Sequence, residues 1–399
     1  MRDLKYMIEF EDLLQEANNS LVRQAKEEGK LALGYTCYFM PEVLLDLPGC
    51  FGVRLRAPRS SSPDIASYYM SNRSCPYARS LLERAIEGGY HFLDAQLATE
   101  TCTATNRFQE HLEILKLVDN PNFFVSFIDV PHKKGVRSNE DHYATQLRKY
   151  VLEPLHEKLG VDISNEALRT AIGEHNELCR IISEIGEMRK LPNPPITGYE
   201  FHVINLVSLV CPKYLIMDKL KETLEELKKR EPDEKPAWKV RVVLAGSEND
   251  DPEFTKLIES CGALVVADRH CYGSLPGREP IEMSEDEAPL HAVARHYLNH
   301  SECPRYMNTE VVHGRKRYLK KLYEDYHADG VILEQMKFCE YWSYERVADN
   351  LILTGDYGIP CCSIEKDYNN NAFGQLRTRF QAFVESLEIK KIQKGAGKS

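Results

Sequence analysis

Short apolar runs and amphipathic stretches take turns along most of this chain. Apolar runs occur at 31–36 (LALGYT), 52–57 (GVRLRA), 91–99 (HFLDAQLAT) and 123–131 (FFVSFIDVP), and again at 240–246, 263–270, 330–335 and 359–366. Each has the length of a strand and is followed by sequence with apolar residues at helical spacing. Such alternation predicts parallel sheets covered by helices. Residues 3–28 read as one helix ending near Gly29, and PEVLLDL as a short helix opened by Pro41. Residues 63–88 read as helical with a break at SNRSCPYARS, which sets Cys75 just ahead of a helix begun by Pro76. From about Val151 to Lys239 the strand pattern stops, and three or four helical patterns replace it; the most charged, DKLKETLEELKKREPDEK, has the look of a solvated face.

The expected fold class is therefore α/β, with two Rossmann-like parallel-sheet domains joined by a helical connector. The expected boundaries are 1–150 for an N-terminal helix plus the first α/β domain, 151–239 for the connector, 240–390 for the second α/β domain, and 391–399 for a disordered tail. The halves share an order of elements without a repeat of residue identities.

A chain of 399 residues with 43% hydrophobic and 28% charged residues is an ordinary globular protein long enough for two or three domains. Its formal charge of −10 argues against a nucleic-acid partner. No apolar run reaches the roughly 20 residues that span a bilayer, and MRDLKYMIEFEDLL reads as an acidic amphipathic helix rather than a signal peptide, so a cytoplasmic location without a membrane partner is expected. The 12 cysteines are then expected to be reduced, and the sequons at Asn18, Asn72 and Asn299 to carry no meaning.

No GxGxxG follows a strand, no CxxC pair is present, and the tail GAGKS lacks the first glycine of a phosphate loop. Cys361 and Cys362 are adjacent in a strand and should point to opposite faces as small buried hydrophobes. Cys75, Cys102 and Cys339 differ, because each stands at a strand end or helix start beside Pro, Thr or charged residues. Helix N-termini at such places stabilise thiolate charge. On the residues alone two accounts stay open: three unrelated free thiols, or three soft ligands converging between the domains. Three thiolates on a cubane cluster leave one iron open to substrate, water or sulfide.

CPYARS around Cys75, FLDAQLATETC ending at Cys102, DGVILEQMKFCEYW around Cys339, GIPCCSIEKDY and GQLRTRFQAFVE occur in the order seen in one family. With GYTCYFMPEVLL, FIDVPHK, NPPITGYE and the CPR of Cys303–Arg305, the chain from about Leu31 to Leu387 resembles subunits of the 2-hydroxyacyl-CoA dehydratase and benzoyl-CoA reductase family. The resemblance implies a cluster in the interdomain cleft, a 4Fe-4S group held by Cys75, Cys102 and Cys339, with a double-cubane 8Fe-9S cluster as the alternative. It also implies a related, non-identical partner subunit in a heterodimer, an ATP-hydrolysing iron-sulfur activator, and an acyl-CoA or aryl-CoA substrate.

Within the family FLDAQ, VPHK, NPPITGYE, HCYG and GQLRTRFQAF look most like a class I benzoyl-CoA (aryl-CoA) reductase subunit. The alternatives are a 2-hydroxyacyl-CoA dehydratase subunit, which eliminates water through a ketyl radical, and a non-catalytic electron-transfer or double-cubane protein. Where many relatives carry aspartate after the second and third cysteines, this chain has Thr103 and Glu340, which puts the tuning and type of cluster in doubt. Glu42 and His132 are candidate acid–base residues, and Cys37 falls in a block that lines the substrate cleft of relatives. Lys133, Lys134, Arg54 and Arg56 are candidates for CoA phosphates, with solvated surface charge as the plainer reading. Arg377 and Arg379 read as structural or interface residues, and Asp268, Arg269 and His270 as possible cleft lining.

Overall fold

The computed structural model describes residues 2–58, 62–272, 278–369 and 373–396. Two four-stranded sheets, parallel throughout, organise it. The first contains β1 (Leu31–Tyr35), β2 (Cys50–Arg54), β3 (Ala95–Thr99) and β4 (Phe124–Ile128) in the order β2-β1-β3-β4. The second contains β5 (Val240–Gly246), β6 (Ala263–His270), β7 (Gly330–Met336) and β8 (Cys361–Lys366) in the order β6-β5-β7-β8. The two orders are the same permutation, so the likeness of the halves lies in topology. Each sheet reverses direction of build between its first and third strands, and ligands of open α/β sheets bind outside the carboxyl ends at such a switch point.

The expected strands all form, with β2 beginning earlier than its apolar run and β3 later. PEVLLDL yields only one 3-10 turn, Glu42–Leu44, with Pro41 as its extended N-cap at ψ 108° and not as a first helical residue. The expected helix over 3–28 is two helices, Met7–Leu13 and Ser20–Glu27. The Asn19 side chain accepts from the N–H groups of Leu21 and Val22 at 3.1 and 3.0 Å and starts the second one afresh. The closing helix, Phe373–Ala396, takes in residues expected to be a disordered tail, since Lys391 reaches Asp329 at 3.2 Å; 397–399 lie outside the described residues, as does most of the GAGKS motif.

Between the sheets the chain is helical, and the helix Gly198–Val210 is its most buried part. It starts with a capping box: Thr197 Oγ1 accepts from the Glu200 N–H at 3.1 Å while the Glu200 carboxylate accepts from the Thr197 N–H at 2.9 Å. A Cβ on Gly198 would stand 2.5 Å from the Val265 carbonyl oxygen, so only glycine lets this helix meet β6. Residues of 281–306 pack not on the second sheet but in the cluster of the first, where Ile281, Leu290, Val293, Tyr297 and Tyr306 join Leu33, Leu97 and Ile128. That exchange carries Cys303 toward the first sheet.

Candidate functional site: a six-thiol cavity

Three cysteines owe their placement to one local device used three times. Cys75, Cys102 and Cys339 are the N-cap residues of the helices Pro76–Ile86, Thr103–Ile114 and Glu340–Gly355. At Cys75, Pro76 supplies the first helical residue, and the Tyr77 hydroxyl donates to the Leu55 carbonyl at 2.9 Å, fixing the helix start to the end of β2. At Cys102, the Glu100 N–H continues the β3–β4 ladder to Ile128 at 2.9 Å, and Thr105 Oγ1 donates to the Cys102 carbonyl at 3.0 Å. At Cys339 the chain turns sharply after β7. The Lys337 N–H bonds the Lys366 carbonyl, Phe338 takes φ 59°, and the Cys339 N–H returns to the Met336 carbonyl at 3.0 Å. Ser247, just past β5, accepts from the Met336 N–H at 2.6 Å and donates to the buried Glu334 carboxyl at 3.2 Å, which fastens the β5 and β7 ends together.

These thiols line one cavity with three more, Cys37, Cys271 and Cys303. Cys37 follows β1, Cys271 follows β6, and Cys303 comes from the 281–306 segment. The walls between them are Tyr38, Phe39, Tyr77, Pro304, Tyr341 and Trp342, and the void is about 90 Å³. Both switch points therefore open on the same space. Pockets for drug-sized organic ligands run to roughly 300–1,000 Å³, so the void suits a compact group rather than a CoA thioester.

Burial acts in the same direction on five of these thiols. Burial pushes Cys75 up to about 12, with Cys102 adding to the shift. Burial likewise raises Cys102, takes Cys303 up to about 12, and lifts Cys271 and Cys339 well above the ordinary thiol range. Backbone N–H groups of Tyr77 and Ala78, of Ala104 and Thr105, and of Trp342 work against burial at Cys75, Cys102 and Cys339, and favour thiolate. The indole Nε1–H of Trp342 donates to Cys271 Sγ at 2.9 Å, and Thr101 Oγ1 donates to Cys37 Sγ at 3.3 Å. Neighbour effects link all six: Cys102 raises Cys75, both raise Cys339, Cys37 raises Cys102 and Cys303, and Cys303 and Cys339 raise Cys271. Glu248 also lines the cavity, and burial pushes its carboxyl up to about 8, so at pH 7 it is mostly neutral beside Cys271.

Among the described residues no three His, Cys, Asp or Glu side chains are grouped to hold a single metal ion. Six soft donors around one void instead fit a polynuclear iron-sulfur group, in which each thiolate takes its own iron. All 12 cysteines are free.

The other candidates fall elsewhere. Glu42 is buried in a polar knot: Tyr35 donates to it at 2.9 Å, and Arg278, His175 and Lys213 stand at 3.4, 3.4 and 3.6 Å. Burial alone would raise its carboxyl, but Lys213, Arg278 and His175 together hold it well below the usual carboxylate range, so it is a charge partner rather than a proton donor. His132 is exposed; Arg305 Nη2 lies 3.2 Å from its Nε2, and that cation lowers its affinity for a proton. Neither residue lines the cavity. Arg54 and Arg56, read from sequence as candidates for CoA phosphates or as surface charge, are buried: Arg54 lines the cavity and donates to the Cys271 carbonyl, while Arg56 donates to the Leu14 and Asp250 carbonyls outside the lining. Lys133 is exposed, and Lys134 pairs with Glu302 at 3.1 Å. Arg377 and Arg379 are exposed on the last helix and donate to Ser260 Oγ and the Ser363 carbonyl. Asp268 pairs with Arg189 at 3.0 Å, and the buried Arg269 and His270 lie outside the lining.

Cys37, expected in a substrate cleft, and Cys271 and Cys303, expected in no ligand set, join the three expected ligands in the lining. Two signals could have found them. Cys303-Pro304 repeats the Cys75-Pro76 pair, and Cys271 directly follows the β6 run.

The family model described as 2-hydroxyglutaryl-CoA dehydratase, D-component, matches residues 37–387. The chain is 23% identical to the (R)-phenyllactyl-CoA dehydratase beta subunit of Clostridium sporogenes, over 96% of this chain and 99% of that one. It is 23% identical to the (R)-2-hydroxyglutaryl-CoA dehydratase beta subunit of Acidaminococcus fermentans, over 92% and 95%. It is 20% identical to a benzoyl-CoA reductase subunit of Thauera aromatica, over 95% and 97%. The match to the family model takes in all six cavity cysteines and both sheets' carboxyl ends, and on that ground the chain belongs to the 2-hydroxyglutaryl-CoA dehydratase D-component family.

Proposed function

We propose that this chain is the iron-sulfur subunit of an ATP-activated, low-potential, one-electron system, working with a related, non-identical subunit and an ATP-hydrolysing iron-sulfur activator; acyl-CoA thioesters are its substrate in the single-cubane reading below. The observation that carries the proposal is the convergence of six thiols from both sheets on one cavity. When bound, an iron-sulfur group supplies single electrons at potentials that hydride donors do not reach. The residues of the chain hold and shield it. Helix N-termini favour thiolate at Cys75, Cys102 and Cys339, the aromatic wall keeps water out, and the void leaves the thioester to bind at the mouth, against the partner subunit.

Six thiols on one void, twice the number a single cubane with an open iron takes, support the double-cubane 8Fe-9S group over the single 4Fe-4S cluster, with the N-cap thiols Cys75, Cys102 and Cys339 on one half and Cys37, Cys271 and Cys303 on the other. A second reading is a single cubane on the first set in an aryl-CoA reductase or 2-hydroxyacyl-CoA dehydratase subunit. Its support is the shared N-cap device of that set and the names of the relatives. Anaerobic iron and acid-labile sulfide analysis separates the readings. About eight irons per chain, falling by about half in Cys303→Ser, supports the joined group; about four irons, unchanged in Cys303→Ser but lost in Cys339→Ser, supports the single cubane. A colourless, iron-free protein after anaerobic purification with its partner overturns both.

A further inference from the structure

Cys271 and Cys303 are backed by a charged network sealed from solvent. Arg315 makes two hydrogen bonds to Glu345, Lys316 Nζ lies 2.8 Å from Glu345 and 3.0 Å from Asp349, and Arg269 Nη2 lies 3.3 Å from Glu345. These five side chains are at most 1% exposed. Three cations against two carboxylates leave the knot with a formal excess of one positive charge. It is tied to the Cys303 loop through Arg269 to the Glu302 carbonyl and Arg315 to the Tyr306 carbonyl, at 3.2 and 2.8 Å. It is tied to Cys271 through Trp342: the Arg269 guanidinium stands 5.1 Å from the indole centroid, and the indole N–H points at Cys271 Sγ. A cation near one side of an indole polarises its N–H, and a donor on a thiolate sulfur withdraws charge from the metal bound there. Cys75, Cys102 and Cys339 have backbone donors in place of this relay.

We infer that Trp342, backed by Arg269 and the Arg315–Lys316–Glu345–Asp349 knot, is a positioning residue that raises the reduction potential of the Cys271/Cys303 half, making that half the place where an incoming electron settles. The inference rests on the joined-cluster reading, in which Cys271 is a ligand. The charge of one added electron is stabilised there by a donor and a buried positive excess, in a medium where such terms are weakly screened. The electron arrives from the activator, or from Ti(III) citrate in a titration.

The test compares wild type and Trp342→Phe, purified anaerobically with the partner subunit, by redox titration followed by electron paramagnetic resonance. Phenylalanine keeps an aromatic ring near Arg269 and removes the N–H together with the five-membered part of the indole, so the iron count of the variant is read first. The expected result is unchanged iron and sulfide with one midpoint moved to more negative potential by about a tenfold change in the redox equilibrium, which is about 59 mV for one electron. An unchanged midpoint at full iron content overturns the inference. Should Trp342→Phe lose iron, wild type grown with indole-15N tryptophan decides, since the other tryptophan, Trp238, precedes β5 at the far end of its strand. A 15N coupling to the reduced cluster's spin supports the relay, and its absence overturns it. An iron count of about four per chain, with Cys271→Ser keeping it, defeats the joined-cluster reading instead, a separate failure.

Discussion

Arg315 and Glu345 face each other as a two-pronged pair, Nε to Oε1 at 2.7 Å and Nη2 to Oε2 at 2.8 Å, with neither side chain more than 1% exposed. Buried pairs of this geometry are expensive to break, because the charge left behind cannot find water. Glu345→Ala is therefore expected to lower stability by about 3–5 kcal/mol, since it leaves three buried cations facing Asp349 alone. Urea unfolding of the metal-free chain measures it. A loss below about 1 kcal/mol would mean that the cations relax to other partners.

A second prediction concerns acid. His202, on the buried inter-sheet helix, sets Nδ1 2.9 Å from Thr255 Oγ1 and Nε2 2.9 Å from the Asn249 carbonyl. Burial pushes its pKa down to about 4. The folded state thus resists a proton that the unfolded chain accepts near pH 6.5, so stability falls as pH drops from about 6.5 to 4 and is fully present above that window. The full effect is about 3 kcal/mol. In His202→Gln, the slope of stability against pH in this window should flatten; an unaltered slope would assign the acid sensitivity to other groups.

The strands were legible because their apolar runs are short and bounded by turn residues; β5 begins and ends at the limits of VRVVLAG. Cys339 was legible for the same reason, standing three residues past β7. Cys271 and Cys303 were harder to see, because periodicity says nothing of loops. Their meeting depends on 281–306 crossing to the first sheet, a long-range choice made by Leu290, Val293 and Tyr297. Arg54 and Arg56 read as surface charge because their carbonyl partners, at Cys271, Leu14 and Asp250, are remote in sequence.

The turn before Cys339 stores strain. Phe338 has φ 59° with its ring 49% exposed, so packing does not demand the ring. A left-handed conformation costs a non-glycine residue roughly 1–2 kcal/mol. Phe338→Gly should match or exceed wild type in melting temperature, and Phe338→Val should fall below it, because a β-branched side chain fits this region worst. Equal melting of the two variants would deny the strain.

Cys361 and Cys362 serve as the contrast to the cavity thiols. They lie on β8 with Cys362 packed against the face of Ile332 and Ile364 and Cys361 against that of Val331 and Leu333, away from the void. Both thiols are only half-buried, not the buried hydrophobes expected from sequence, so Cys361→Ser and Cys362→Ser should each keep the full iron content at a cost of at most about 1 kcal/mol. Loss of iron in either would bring β8 into the site.

The junction of β5 and β7 yields the last prediction. A Cβ on Gly246 would stand 2.3 Å from Glu334 Oε2 and 2.5 Å from the Glu334 carbonyl oxygen. The carbonyl is ladder backbone and cannot swing aside, so Gly246→Ala must push the strands apart where Ser247 joins them to Met336. The same shift would move the turn that presents Cys339. Gly246→Ala is expected to lose stability by about 1–3 kcal/mol, the usual cost of overpacking, and to lose iron together with it. Gly173→Ala is the control: it lies inside the helix Asn165–Glu187 with nothing within 4 Å of an added Cβ. That change should stabilise by up to about 1 kcal/mol, through helix propensity, with iron unchanged. If Gly246→Ala instead left both stability and iron intact, the fastening of the two strand ends would not be what holds Cys339 at the cavity.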